Sequence, residues 1–498
     1  MYKYRISTNL AHDAVNVSDE KCNLVSLLKP EYVKLNSSGF ADLLSCCLET
    51  TTHIRWAKDK IENIKEPVWE EIKKATNPYE LIYAAPNMAI ANVKPLSRSF
   101  LKMIEMIHEF ADGACASGAS NGGIMQLEEL VSLHIAEGPG GFIEATRYIR
   151  NSHGYTNDTA FGITLNNKNE HGENVNNIPA WRQSNYFLRN HPEVIISYGA
   201  DGTGNIYNPD NINHLADEIN TVCQKKYTSK PVYLDAVGSN IAKVYVGFGD
   251  ECLSRCMNQS SKNMFASLEV ENMEQEENLV EQYEESGEEK KEKNEGNKEY
   301  GNRNGGYALF ITADGGFDYS INYNYQEQAS SKLIFSQIIT ALKCQALGGT
   351  FICKFFEMNL VITIEMLYIL HTVYNEVIIY KPFTSRVANS EKYLVCCGFK
   401  GIGVQMLDRL LSILADWNTA NLEGKTINRL MIDIPNYFIV ELKRINRIII
   451  SQQIDIINSI MHIYRYKLNL DSEWKKENYK KQRALAVEWC QKYNIPWS

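Results

Sequence analysis

In the run FICKFFEM, residues 351–358, a lysine interrupts residues whose β-branched and aromatic content predicts a buried strand. An ammonium taken out of water is costly unless a carboxylate partners it or it gives up its proton, and burial accordingly lowers a lysine's pKa. Lys354 is therefore a strand-end lysine whose head reaches water, or a buried amine that a carboxylate partners or that gives up its proton. A second stretch, LHIAEGPGGFIEATRYI, is an apolar strand running into Gly138, Pro139, Gly140 and Gly141 and then a helix. Such a turn lets a ligand approach the backbone. Its spacing is not that of a dinucleotide fingerprint, and Pro139 lacks an amide that a pyrophosphate would use. A ligand with an amino-acid tail and no pyrophosphate fits better; a plain strand-to-helix turn is the other reading. Cys252 and Cys256 form a C-x-x-x-C with no second ligand pair nearby, so no metal is expected.

The elements that must carry these residues follow from the hydrophobic pattern. From Leu133 onward, short β-type runs alternate with helical ones: LHIAE, FGITL, VIISYG, YALFITAD, GTFICKFF, NEVIIYKP and EKYLVCCGF. Strands separated by helix-length segments imply crossover connections, hence an α/β fold with a mostly parallel sheet and helices on both faces. The last two runs, close together around SRVANS, predict an antiparallel ending. Such a sheet binds ligands at the carboxyl ends of its strands. Helical patterns dominate before residue 110 and after Gly401.

The chain has 498 residues, 44% of them hydrophobic, and a net charge of -9. Residues 268–299 alone hold 13 glutamates against 4 lysines, so the remainder is close to neutral and leaves room for a basic face. That acidic segment, with few aromatics and no apolar period, is expected to be a disordered insertion spanning about 257–305. The division expected is a helical N-terminal region (1–76), a central domain (77–404) interrupted by the insertion, and a helical C-terminal region (405–498). Met358–Tyr380 is broken by Glu365, His371 and Glu376, as suits a helix followed by a strand rather than a membrane span. Twelve cysteines without a regular framework, and no apolar leader in MYKYRISTNLAHDA, predict an intracellular protein of nucleus or cytoplasm.

The segments AEGPGGF, TADGGFD, GGTFICKFFE and KPFTSRVANSEKYLVCCGFKG occur in the order and approximate spacing of the FtsJ-like RNA ribose 2'-O-methyltransferases, and the chain resembles that family over most of 77–404. The resemblance is strongest to the eukaryotic-type members that methylate the first transcribed nucleotide of capped mRNA. It implies a Rossmann-like methyltransferase fold, S-adenosylmethionine as cofactor and the capped mRNA 5' end as partner, with other capping or transcription proteins as further partners. It also implies a Lys-Asp-Lys-Glu tetrad: Lys102 in SRSFLKM, Asp314 in TADGGF, Lys354 in FICKFF and Glu391 in ANSEKY. Lys94 is the competitor for the first lysine. In the roles so implied, Lys354 orients the ribose hydroxyl or accepts its proton, Asp314 and Glu391 position Lys354, and Lys102 lowers its pKa and contacts the ribose. For the cofactor, the resemblance implicates Glu137, Gly138, Pro139, Gly140, Gly141, Phe142 and Asp314, with Asn205 and Ile206 near the adenosine. Asn205 stands where the family usually has Asp; Asp201 is either the substitute or a turn residue. For RNA it implicates Ser97, Asn324 and Asn389, with Arg386 and Lys381 for phosphates; Phe317, Tyr319, Tyr323 and Tyr325, which follow Asp314, are candidates for stacking on a cap or base, or packing residues.

Overall fold

Most of the apolar runs become strands of one eight-stranded sheet in the computed structural model. It describes residues 2–6, 28–37, 41–46, 48–62, 64–83, 89–112, 123–166, 180–181, 183–226, 308–316, 323–466 and 472–498. These belong to one unit, Met1–Ala236 with Gly305–Ser498. The acidic insertion, and the cysteine pair Cys252 and Cys256, lie outside the described residues.

The strands are β1 (Tyr2–Arg5), β2 (Glu31–Lys34), β3 (Val131–Ile135), β4 (Thr159–Ile163), β5 (Val194–Ser197), β6 (Ala308–Ala313), β7 (Gln345–Phe355), β8 (Tyr374–Lys381), β9 (Lys392–Phe399) and β10 (Lys425–Arg429). The helices are α1 (Leu48–Glu62), α2 (Glu66–Thr76), α3 (Ser99–Phe110), α4 (Gly141–Ser152), α5 (Asn185–Asn190), α6 (Pro209–Lys226), α7 (Gln326–Cys344), α8 (Val361–Val373), α9 (Val404–Leu422), α10 (Asn436–Tyr466) and α11 (Ser472–Lys492). The large sheet runs β1-β8-β9-β7-β6-β3-β4-β5. Strands β5, β4, β3, β6 and β7 are parallel, and β9 is inserted antiparallel between β7 and β8. From β3 the chain goes to β4 on one side and later returns to β6 on the other, so the carboxyl ends of β3 and β6 flank the switch point where such sheets open a crevice.

Period-two alternation sorts the strand side chains onto two apolar faces. Leu133, Ile311, Phe351, Cys353, Ile379 and Leu394 pack with α6, α7, α8 and α9. Phe310, Ile352, Ile378, Tyr380, Tyr393 and Val395 pack instead with α3, α4 and α11. By the same alternation Lys354 belongs to the α3 face, next to Tyr393, its cross-strand partner on β9.

The chain ends differ from the purely helical regions expected. β1 pairs antiparallel with β8 at the sheet edge, and β2 pairs with β10 in a separate two-stranded ribbon. A strand of four or five residues carries too little period to be seen locally; what forms it here is an open β8 edge and a nearby strand partner. The ends also pack against other elements. Ile54 and Ala57 of α1 share a cluster with Ile450, Ile457 and Ile460 of α10. Ala486, Trp489 and Cys490 of α11 pack with Met103 and Ile107 of α3.

Candidate active site

Two amine–carboxylate pairs meet at the carboxyl ends of the central strands. Lys354, the penultimate residue of β7, places Nζ 3.1 Å from Oδ1 of Asp314 and donates to the Asp314 carbonyl oxygen at 2.6 Å. Asp314 follows β6 directly, and its amide donates to Ile135 O at the end of β3, which pins it at the switch point. Lys102, in the first turn of α3, places Nζ 2.7 Å from Oε1 of Glu391, which immediately precedes β9. The four side chains keep between 12% and 17% of their surface, enough for a substrate to reach them. Lys94, the competing lysine, is exposed on the approach to α3.

The pairs are linked electrically. Burial alone would raise the Glu391 carboxyl, but Lys102 and then Lys354 and Lys381 pull it down to about 2, so Glu391 stays an anion. Tyr393, beside Lys354, reaches Asp314 Oδ1 with its hydroxyl at 3.4 Å. Ser385 donates to Glu391 Oε1 at 3.1 Å.

The glycine turn follows β3. Gly140 has φ of 110°, in the left-handed region, and caps the start of α4. A Cβ on Gly141 would run into the hydroxyls of Ser99 and Ser97, so its lack of a side chain lets the starts of α3 and α4 touch. Phe142 and Ile143 donate backbone amides to Glu137 Oε1, whereas Oε2, buried at the same turn, has no hydrogen-bond partner among the described residues. Burial, reinforced by the Asp314 charge, pushes the Glu137 carboxyl well above its ordinary range. Trp181 lies against Gly140 and Gly162, and its buried indole nitrogen likewise lacks a partner. A ligand with a cationic, amino-acid-like end suits this setting: close-approach glycines, a buried carboxylate oxygen left open, and the Asp314 anion alongside.

The remaining expected residues divide. Asn205 and Ile206 lie on the loop after β5; Asn205 Oδ1 accepts from Tyr207 N at 3.0 Å, and Ile206 is buried in the core. Asp201 is on that loop too, with its oxygens taken up by Thr203, Asn208 and Asn211. Burial raises its carboxyl slightly, and these hydrogen bonds outweigh it and hold the group well below the usual range. Asp201 thus organises the turn. Ser97 Oγ pairs with Ser99 Oγ at the start of α3. Asn389 and Arg386 share the β8–β9 loop with Glu391; Asn389 is exposed and Arg386 partly so. Asn324, apart from these, donates to Asp59 of α1 at 3.2 Å and lines a cavity of about 250 Å³ with Tyr325, Arg55, Lys58 and Glu357. Phe317 and Tyr319, and the side chain of Tyr323, fall outside the described residues.

Lys381 departs from its expected role. It is 6% exposed, and its ammonium donates to Asn389 O, Asn389 Oδ1, Glu391 O and Ser385 Oγ at 2.8–3.3 Å. A lysine so enclosed shapes the loop that presents Glu391 and is not available to an RNA phosphate. A lysine ending an apolar strand reads as a surface charge; only the loop folding back over it shows otherwise. Tyr393 and Ser385 were likewise missed, and neither carries a local signal beyond lying within a matching segment.

Among the described residues no helix is long and apolar enough to cross a membrane, and no group of three His, Cys, Asp or Glu side chains is placed to hold a metal ion. The family model of the FtsJ-like methyltransferases matches residues 95–399, from just before α3 to the end of β9. Among curated proteins, the cap-specific mRNA (nucleoside-2'-O-)-methyltransferase 1 of Bos taurus is 40% identical over 105 residues, 21% of this chain and 12% of that protein. Its Homo sapiens counterpart is 42% identical over 91 residues, 18% of this chain and 11% of that protein. That of Trypanosoma cruzi is 45% identical over 92 residues, 18% of this chain and 25% of that protein. The matches thus span a quarter or less of these relatives' lengths. A solved structure, a putative ribosomal RNA methyltransferase of Plasmodium falciparum, aligns with 14% identity and a TM-score of 0.29 over 61% of this chain and 98% of that one, too low a similarity to bear on function. With the family model covering well over half of the chain and both ion pairs lying within the match, this protein belongs to the FtsJ-like methyltransferase family.

Proposed function

We propose that this chain transfers a methyl group from S-adenosylmethionine to the ribose 2'-hydroxyl of the first transcribed nucleotide of capped mRNA, forming cap 1. The observation that carries this reading is the convergence of Lys102, Asp314, Lys354 and Glu391, drawn from four separate parts of the chain, beside the glycine turn. The relatives named for cap-specific mRNA methylation support the choice of substrate.

The bound cofactor supplies an electrophilic methyl group on a sulfonium. Glu137 and the glycine turn hold its amino-acid end, and Asp314 faces the same space. A ribose hydroxyl is a weak nucleophile, so its oxygen must be aligned and its proton removed as the new O–C bond forms. Lys354, as the neutral amine, receives that hydroxyl and takes up its proton as the O–C bond forms, and Asp314 stabilises the ammonium that results. Glu391 keeps Lys102 directed at the same site, where its positive charge stabilises the oxygen as negative charge develops on it. The cavity bordered by Asn324, Tyr325 and Lys58 receives the capped end of the RNA, and Arg386 engages a phosphate.

The test is to incubate the protein with methyl-labelled S-adenosylmethionine and short RNAs identical except for a 5' cap or a 5' triphosphate, then digest the product with nuclease. Label resistant to digestion at the first nucleotide of the capped RNA alone is expected. Label at internal positions, or transfer indifferent to the cap, overturns the substrate; cofactor binding with no transfer to any RNA overturns the activity.

A further inference from the structure

α3 carries a second ionisable group, Glu105, one turn beyond Lys102. It is wholly buried, and among the described residues no cation pairs with it; four donors satisfy it instead. Oε2 accepts from Phe383 N at 2.6 Å, and Oε1 from Thr384 N at 2.8 Å, Thr384 Oγ1 at 2.6 Å and Trp489 Nε1 at 3.1 Å. The first three belong to the start of the β8–β9 loop, whose far end presents Glu391. The fourth belongs to α11, which lies beyond the segment matched by the family model.

A loop of this length would by itself sample many conformations, and Glu391 works only where Lys102 can reach it. Lys381 fixes the far end of the loop; Glu105 fixes its near end, and does so from the helix that carries Lys102. We propose that Glu105 is a positioning residue: its carboxylate joins the Lys102 helix, the Glu391 loop and the C-terminal helix α11 into one rigid piece, making α11 part of the catalytic apparatus. The reading rests on the methyl transfer proposed above for its catalytic consequence, though not for the clamp itself.

A carboxamide cannot replace this carboxylate, because its NH2 would face donors with nothing to accept its own protons. Three variants test the clamp: Glu105→Gln, Trp489→Phe, which deletes one donor while keeping an aromatic ring, and Thr384→Val, which deletes another. Methyl transfer is measured per cofactor-binding site, counted by titration with S-adenosylmethionine, so that unfolded protein does not enter the rate. For Glu105→Gln we expect kcat per site to fall about 10- to 100-fold with the KM for cofactor within about twofold of the parent. For Trp489→Phe and Thr384→Val a fall of about threefold or more is expected. Independently of any activity, amide hydrogen exchange in residues 382–391 should accelerate about tenfold or more in Glu105→Gln while α6 is unchanged. Unchanged exchange in that loop overturns the clamp. Faster exchange with an unchanged rate per site overturns its catalytic role. An inactive parent protein that still shows the faster exchange overturns the proposed activity and leaves the clamp standing.

Discussion

Replacing Lys354 by Met separates the amine to which proton transfer is assigned under the proposed function from the scaffold that holds it. The methionine keeps the length and apolar stem and deletes the charge. At 3.1 Å, and with an effective dielectric near 20, the Lys354–Asp314 attraction is about 5 kcal/mol before desolvation is charged against it. Both side chains keep 12–17% of their surface, so desolvation and partial screening leave a net loss of about 1–3 kcal/mol in urea unfolding. Most of that loss comes from stranding Asp314 beside Glu137 with no cation between them. The double variant Lys354→Met with Asp314→Asn should therefore lose less than the sum of the two single losses, with a coupling of about 1 kcal/mol or more. Catalytically, removing the group that aligns and deprotonates the hydroxyl costs about 10²- to 10⁴-fold in kcat. Cofactor affinity, followed by calorimetric titration, should change no more than a few-fold, because the glycine turn is untouched. A Lys354→Met protein retaining more than about a tenth of the parental rate would refute the role assigned to this amine. Strict additivity in the double variant would refute the pairing that the geometry shows.

Lys102→Met should reduce methyl transfer about 100-fold or more, whereas Lys94→Met should stay within about twofold of the parent, since only Lys102 reaches Glu391; equal effects in a radiometric transfer assay would reverse the choice between them. Gly141→Ala would force the starts of α3 and α4 apart and is expected to cost about 1–3 kcal/mol on chemical denaturation together with a loss of cofactor affinity; unchanged values of both would show that the serine hydroxyls move aside freely. Burial, with the neighbouring Glu357 adding to it, pushes the Glu327 carboxyl from 4.5 up to about 7, so the folded state resists its ionisation and stability falls as pH rises from 4.5 through 7. Glu327→Gln removes that term: relative to the parent it should gain up to roughly 3 kcal/mol between pH 4.5 and pH 8, and a stability difference independent of pH across that range would exclude it.

The central sheet was readable because its strands are continuous apolar runs, as parallel strands buried on both faces must be. β3 through β9 appear at LHIAE, YALFITAD, GTFICKFF and the other predicted runs, and the antiparallel close of β8 and β9 follows from their short connection. β1, β2 and β10 were not readable, because each acquires its form from a partner hundreds of residues away. The site shows the same division. The lysine in FICKFFEM and the glycines after LHIAE announced themselves, since a charge in a buried strand and a turn between strand and helix are local anomalies. Glu105 did not, since it reads as an ordinary polar residue on a helix, and Lys381 reads as a phosphate contact; only the loop that folds onto both shows what they hold.

The sequence by itself determined which segments alternate, which are apolar and which turn sharply, because those depend on the period of neighbouring residues. Tertiary structure alone decided which carboxylate Lys102, the lysine the motif match favours, pairs with, that the oxygens of Asp201 are taken up by its own loop, and that α11 touches the helix carrying Lys102. A charge gains its partner only when burial elsewhere brings two distant parts of the chain within a few ångströms, and no local pattern records that distance.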